Sequence, residues 1–277
     1  TNIRTSEKTR AFGSSNKIIF EEDQIIKITS NEKLSKCEEN WYKNAKEFQF
    51  IPKVFGYSPL KLERIKNSKL LSDFLKENPN KEQWVLRKSF EILKTMHSSK
   101  ESVPAVYSDS FNQYYQKTID RLDKIGFLFK DVEDKIIINN IEYKNPKKLL
   151  IKNKEKIESI FSKEFRFIHG DLQLSNLLIN DKEEVFVIDP RGYFGESILY
   201  GDPMYDFAKL YYGYCGMWSE FSKGLGEASY EDGKFFLKEL LDKESLKRRR
   251  KNFFEEAKNI DYVSITPYKI DLLHAII

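Results

Sequence analysis

Five polar residues lie in one stretch of this chain at spacings that could do chemistry. His169 and Asp171 flank Gly170, Asn176 follows five residues after Asp171, Asp189 thirteen after that, and Asp202 thirteen further on. Apolar, strand-like residues border them: Phe165-Arg166-Phe167-Ile168 before His169, Leu177-Leu178-Ile179 after Asn176, and Val185-Phe186-Val187-Ile188 before Asp189. A strand that delivers a tight turn at Gly170 should expose Asp171 at once. Asp171, Asn176 and Asp189 should therefore emerge from buried strands at one edge. Three oxygen-bearing side chains held this way suit a hard cation such as Mg²⁺ together with a base for a hydroxyl. Any one of these aspartates alone could be a turn or helix cap; the joint pattern is not explained that way.

The order H-x-D-x-x-x-x-N, followed by an apolar strand ending in Asp, resembles the catalytic core of kinases. Gly170 replaces the usual Arg, and the metal motif reads Ile188-Asp189-Pro190 rather than Asp-Phe-Gly. This variant resembles the aminoglycoside phosphotransferase and choline kinase family of small-molecule kinases. The stretch Gly201-Asp202-Pro203-Met204-Tyr205-Asp206-Phe207-Ala208 is similar to the segment beyond the family's metal site. Ile188-Asp189-Pro190-Arg191-Gly192 looks most like a branch linked to bacterial capsule or surface-glycan genes, sometimes fused to a sugar nucleotidyltransferase. The resemblance is strong over residues 165–210, extends over 8–65, and is weak over 100–160 and after 215.

The resemblance implies an α+β, two-lobed, protein-kinase-like fold. Residues 1–65 would form an antiparallel-sheet nucleotide lobe, and residues 66–277 a mainly helical lobe with the catalytic loop and acceptor site. It also implies ATP, or GTP as the alternative, and Mg²⁺. Asp171 would accept the proton of the attacking hydroxyl, with His169 holding the catalytic loop. Asn176 and Asp189 would bind Mg²⁺. Asp202 would hydrogen-bond the backbone of the catalytic loop, and Arg191 would contact substrate or pair with an acid. Lys27 stands where the family has its phosphate-binding lysine, and a helix acid would pair with it. At about 100° per residue, Glu38 lies about 60° from the Trp41 stripe and Glu39 about 160° away, so Glu38 borders the buried face and Glu39 points to water. Gly13-Ser14-Ser15-Asn16 would be the turn over the phosphates, and Glu63-Arg64-Ile65 the interlobe hinge whose backbone binds adenine. Tyr211, Tyr212 and Trp218 could line an acceptor pocket by stacking on a sugar or by cation–π contact, or could simply be core.

The elements that must position these residues follow from periodicity. Lys17 to Phe20 and Ile25 to Ile28 read as strands, with Lys27 between inward Ile26 and Ile28. Ser30 or Asn31 caps a helix whose apolar stripe is Leu34, Cys37, Trp41, Ala45 and Phe48, and Pro52 ends it. Val54 to Tyr57 and Leu60 to Ile65 read as strands. Residues 68–76, 84–97, 114–124 and 146–162 read as helices, with Ile136-Ile137-Ile138 as a short strand or irregular excursion. Everything after Asp202 reads as helical, apart from a loop over residues 224–233.

Composition excludes several classes. The chain has 277 residues with 40% hydrophobic and 32% charged, a globular balance with no run long enough to span a membrane. Two cysteines, Cys37 and Cys215, exclude a disulfide framework and suit the cytoplasm. A net charge of +4 from 47 basic and 43 acidic residues is too balanced to imply nucleic acid. The basic run Lys247 to Lys251 reads as a solvated helix face. The chain begins Thr1-Asn2-Ile3-Arg4 and ends inside the apolar stretch Ile270 to Ile277, so it reads as a trimmed or excised piece, and the resemblance implies excision from, or fusion to, a nucleotidyltransferase. The expected function is transfer of a phosphoryl group to a hydroxyl of a small molecule, a sugar or an amino alcohol such as choline, in surface-glycan synthesis. The alternatives are a protein kinase, disfavoured by the short Asp189–Asp202 span, and a non-catalytic nucleotide-binding scaffold, disfavoured by the retention of Asp171, Asn176 and Asp189.

Overall fold

The computed structural model describes residues 16–126, 134–216, 224, 226–238 and 241–276. The β-branched runs near the N-terminus pair as a hairpin, Asn16–Phe20 (β1) with Gln24–Thr29 (β2), with Ile18 opposite Lys27. Helix Glu32–Ala45 (α1) follows, and the Asn31 side chain caps it by accepting from Leu34 N at 3.1 Å. Val54–Gly56 (β3) and Leu60–Glu63 (β4) complete an antiparallel sheet of order β1-β2-β4-β3. Lys27 points toward α1, so the two-residue strand period puts Ile26 and Ile28 on the opposite face. That face is open: Ile28, expected inward, is 41% exposed. Leu34 is also exposed, whereas Cys37, Trp41, Tyr42 and Ala45 are buried.

From Glu63 the chain crosses to Lys69–Leu70 (β5), Leu71–Glu77 (α2) and Glu82–His97 (α3), then Val103–Pro104 (β6). Tyr107–Phe111 (α4) runs through a π-helical turn, Asn112–Gln116, into Lys117–Lys124 (α5). Lys135–Ile138 (β7) and Ile141–Lys144 (β8) form a hairpin, and Pro146–Lys152 (α6) and Lys154–Glu158 (α7) are two short helices where one was expected. Glu164–Phe167 (β9), Leu177–Ile179 (β10) and Val185–Val187 (β11) carry the polar cluster; β10 lies between β11 and β5. Tyr193–Phe194 (β12), Ser197–Ile198 (β13) and Tyr200–Gly201 (β14) lead into Pro203–Tyr214 (α8).

The region after Asp202 is not wholly helical. Ala228–Glu231 (β15) and Lys234–Leu237 (β16) form a hairpin, and β16 pairs in parallel with β7. Its turn is Asp232-Gly233, both at positive φ (48° and 77°), the geometry an Asp-Gly pair favours in two-residue hairpins. Lys243–Ala257 (α9) and Pro267–Ile276 (α10) end the described chain. The basic run on α9 is solvated at Lys247, Arg248 and Lys251, but its arginines are also paired. Arg248 and Arg249 donate to the buried Glu82 of α3 at 2.9 and 2.8 Å, and Arg250 donates to Asp271 of α10 at 2.7 Å.

The buried core is continuous from α1 to α9, through Trp41, Phe167 on β9, Phe207 on α8 and Phe253. Trp41 joins the two parts of the molecule. Its ring stacks on Phe167 at 5.7 Å, and its Nε1 donates to the Ile168 carbonyl at 2.8 Å. Helix α1 is thereby anchored on the strand that leads into the polar cluster. Among the described residues no helix is long and apolar enough to cross a membrane.

Candidate active site

The loop after β9 is held by backbone and buried side chains. Gly170 has φ +82°, and a Cβ there would meet Arg191 Cβ at 3.1 Å and the Tyr193 carbonyl at 3.2 Å, so the tight turn needs glycine. The fully buried Asp206 of α8 accepts from His169 N at 2.9 Å and Gly170 N at 2.8 Å. The His169 ring is also fully buried. Nε2 lies 3.0 Å from the Ile188 carbonyl and Nδ1 accepts from Asp171 N at 3.2 Å. This pattern requires the proton on Nε2. Burial pushes the imidazole pKa down, so the ring stays neutral, tying the Asp171 loop to the strand before Asp189. Both ring nitrogens face backbone, which makes His169 a positioning residue.

The β10–β11 hairpin brings the other two groups together. Leu177 pairs with Val187, and Ile188 N donates to the Asn176 carbonyl at 3.0 Å, so Asn176 and Asp189 leave the same end of the hairpin. Asn176 Nδ2 donates to the Asp171 carbonyl at 2.7 Å, which fixes the amide plane and leaves Oδ1 as its acceptor. Asp189 has φ +56°, a left-handed conformation that Asp and Asn tolerate better than most residues. Lys27 Nζ lies 2.7 Å from both Glu38 Oε1 and Asp189 Oδ1. Burial pushes the Glu38 carboxyl up to about 7, against the pull of Lys27. Burial would lower Lys27, but Asp189 and Glu38 outweigh it and raise its pKa.

One amide oxygen and one carboxylate fall short of a closed metal cage. Among the described residues no group of three or more His, Cys, Asp or Glu could hold an ion unaided. The pair does fit Mg²⁺, which keeps several waters and takes further oxygens from substrate phosphates. Bound there, Mg²⁺ would neutralise phosphate charge.

Asp171 brings a carboxylate to the cleft. Lys209 Nζ lies 3.1 Å from its buried Oδ1 as an ion pair. Arg191 Nη2 lies 3.7 Å from Oδ2. Burial would raise the Asp171 pKa, but Lys209 and Arg191 outweigh it and hold the carboxyl below its usual range. At neutral pH it is therefore an ionised acceptor. It opens on a cleft of about 360 Å³, within the size range of small-molecule sites, whose lining includes Lys27, Lys117, Asp171, Asp189 and Arg191.

Several expected placements differ. Asp202 does not touch the catalytic loop. It caps α8 through Met204 N at 2.9 Å and receives Ser162 Oγ at 2.5 Å, because the residue that starts a helix aims its carboxylate back at the first turn. Asp206, one helical turn on, makes the loop contacts instead. Glu39 does not point to water: it is buried and accepts from Ser58 N at 2.9 Å, as the β3–β4 connection folds over it. Tyr211 does not line the cleft. It shares the buried face of α8 with Phe207, Leu210 and Tyr214, packs edge-on against Phe253 at 5.0 Å, and accepts from Arg250 at 2.9 Å. Tyr211→Ala should cost about 3–5 kcal/mol of stability with the acceptor KM unchanged in the folded enzyme. Denaturant unfolding run beside kinetics checks this, and a raised KM at full stability would contradict it.

Tyr212 is half-buried, with Lys209 over its ring at 5.4 Å; burial first, then the Asp171 charge, push its hydroxyl up to about 12. Glu63 ends β4 and Ile65 lies in the crossing to β5, where the Ile65 carbonyl accepts from Ser68 Oγ at 2.7 Å. Gly13, Ser14, Ser15 and Trp218 lie outside the described residues. Sequence reasoning missed Asp206 and Lys209. The available signal was that α8 is otherwise free of charged side chains, so two buried charges on it needed a partner.

A family model described as the phosphotransferase enzyme family matches residues 60–240, well over half of the chain. No curated protein matches the sequence. Among solved structures, an aminoglycoside-3'-phosphotransferase of type VIII is similar at a TM-score of 0.54 and 12% identity, over 98% of this chain and 90% of that one. A choline/ethanolamine kinase family protein from Mesorhizobium loti is similar at 0.51 and 12%, over 97% and 74%. A glucosamine kinase in complex with glucosamine, ADP and inorganic phosphate is similar at 0.50 and 9%, over 95% and 67%. At these identities the likeness is one of fold, the two-lobed kinase-like α+β arrangement with a small antiparallel sheet and a mainly helical second lobe. Together with the family match over the segment that carries Asp171, Asn176, Asp189 and Asp206, it means that the chain belongs to the phosphotransferase enzyme family.

Proposed function

We propose that the protein transfers the γ-phosphoryl group of ATP, with GTP as the alternative donor, to a hydroxyl of a small molecule, using Mg²⁺. The observation that carries this reading is the ionised Asp171, which lines one cleft with Asp189 and Lys27 and whose backbone carbonyl holds the Asn176 amide. An acceptor O–H donates to the Asp171 carboxylate where it faces the cleft. As the oxygen bonds to the γ-phosphorus, the bond to the β–γ bridging oxygen breaks, and Asp171 takes the proton. Lys27 offsets phosphate charge, and Glu38 holds Lys27. Such a loose transfer needs positioning and charge neutralisation more than covalent help.

Residues 1–65 would take the nucleotide, with adenine on the Glu63–Ile65 backbone, and residues 66–277 the acceptor. The acceptor class is a sugar or amino alcohol; a place in capsule or surface-glycan synthesis rests on the Ile188-Asp189-Pro190-Arg191-Gly192 motif alone, and a cytoplasmic location on the low cysteine count. A transfer screen with ATP and GTP against sugars, choline, ethanolamine, aminoglycosides and peptides tests the reading. Mg²⁺-dependent formation of a phosphate monoester on a small molecule is expected. Transfer to peptides alone would move the chain to the protein kinases, and nucleotide binding without any turnover would make it a scaffold.

A further inference from the structure

The wall of the cleft contributed by α5 is basic. Lys117 and Arg121 are one helical turn apart on the same face, and both line the cleft with Asp171 and Arg191. Lys209 adds a fourth cation at Asp171. The other two acids lining the cleft, Glu38 and Asp189, are both held by Lys27. Arg191, Arg121, Lys209 and Asp171 all act electrostatically on Lys117, which shares the cleft lining with Asp171 and Arg191. Burial first, then the three cations, push the Lys117 pKa down to about 7, as expected of a lysine crowded by like charge. A second recess of about 380 Å³ shares Lys117 and Arg121 with the cleft and is lined also by Gln116, Lys124 and Asp120, whose carboxylate accepts from the Gln116 amide at 2.8 Å. The π turn Asn112–Gln116 ends immediately before Lys117. One extra residue in a helical turn rotates everything after it by about 100°, so this turn decides which side chains α5 presents to the cleft.

Like charges brought together in a desolvated site cost several kcal/mol. A quaternary ammonium or a polyamine at this wall would meet cations from α5, α8 and the loop after β11. We infer, on the footing of the phosphotransferase reading, that the acceptor is an anionic hydroxyl compound, a sugar acid or sugar phosphate whose carboxylate or phosphate sits against Lys117 and Arg121 while its hydroxyl meets Asp171.

Matched acceptor sets test it: glycerol, glycerate and glycerol phosphate; glucose, glucosamine, glucuronate and glucose phosphate. The anionic members should have kcat/KM at least about tenfold above the neutral ones, the worth of one hydrogen bond to a charged group. The carboxylate and phosphate arms show which anion is preferred. Lys117→Gln and Arg121→Gln should each raise the KM of the anionic acceptor by about tenfold while the KM for ATP stays put. Preference for the neutral or cationic members, or a rise in the ATP KM alone, would overturn the proposal. Calorimetric binding of glucuronate and glucose phosphate against glucose supplies a readout without turnover. Anion-specific binding that is lost in Lys117→Gln supports the site, and equal or absent binding overturns it. Failure of transfer to every acceptor with anion binding intact would count against the kinase reading and leave the anion site standing.

Discussion

Asp189→Asn is expected to lower phosphotransfer by about a thousandfold or more and to weaken nucleotide binding in the presence of Mg²⁺, with the protein still folded. The expected size follows from the several kcal/mol of charge stabilisation that a bound metal ion supplies in a transition state, at about 1.4 kcal/mol per tenfold. A neutral amide cannot offset phosphate charge or hold the ion as a carboxylate does. The substitution suits the test because Asp189 is at φ +56°, and Asn tolerates that conformation as well as Asp does. Lost activity then reports the lost charge and not a sprung loop. The variant also removes one of the two carboxylates that Lys27 faces, leaving it with Glu38. Kinetics with Mg²⁺ varied, beside a thermal melt, check the prediction; near-normal turnover in a folded variant would refute the role of Asp189.

Asp171→Asn should lower kcat by about 10²–10⁴-fold, the range for removal of a general base, while nucleotide affinity changes little. The carboxylate is held ionised by Lys209 at 3.1 Å and Arg191 at 3.7 Å, so the amide would leave two cations facing a neutral group. Fold stability should fall as well, because a largely buried ion pair that loses one partner leaves uncompensated charge. The split between kcat and nucleotide binding is the diagnostic: a mainly structural Asp171 would lower both together.

Much of the site was legible in the sequence because its polar residues are bracketed by apolar strands. The β10–β11 register that brings Asn176 to Asp189 follows from two short β-branched and leucine-rich runs with a polar connection. Lys27 and Glu38 could be found because one lies on a strand of alternating pattern and the other at the border of a helical stripe. Periodicity failed where a polar side chain is buried by tertiary contact. Glu39 lies on the side of α1 that the stripe would give to water, yet the β3–β4 connection covers it. Asp202 and Asp206 are four residues apart on one short segment, and only the docking of α8 on the loop after β9 tells which of them reaches the His169 and Gly170 amides. The β15–β16 hairpin carries a legible Asp232-Gly233 turn, yet the sequence reads as a loop there because charged and apolar residues alternate too briefly on either side. The basic wall of the cleft was hidden for a different reason. Lys117, Arg121, Arg191 and Lys209 come from three separate parts of the chain, and no spacing rule joins them.

The most direct measurement is a time course with a γ-labelled nucleotide, Mg²⁺ and the acceptor panel, run on the wild-type protein and on Asp171→Asn side by side. The predicted result is label appearing in a phosphate monoester of a small-molecule acceptor, dependent on Mg²⁺, and slowed by about 10²–10⁴-fold in the variant. Label transferred at equal rates by the two proteins, or transferred by the wild type without Mg²⁺, would contradict the account.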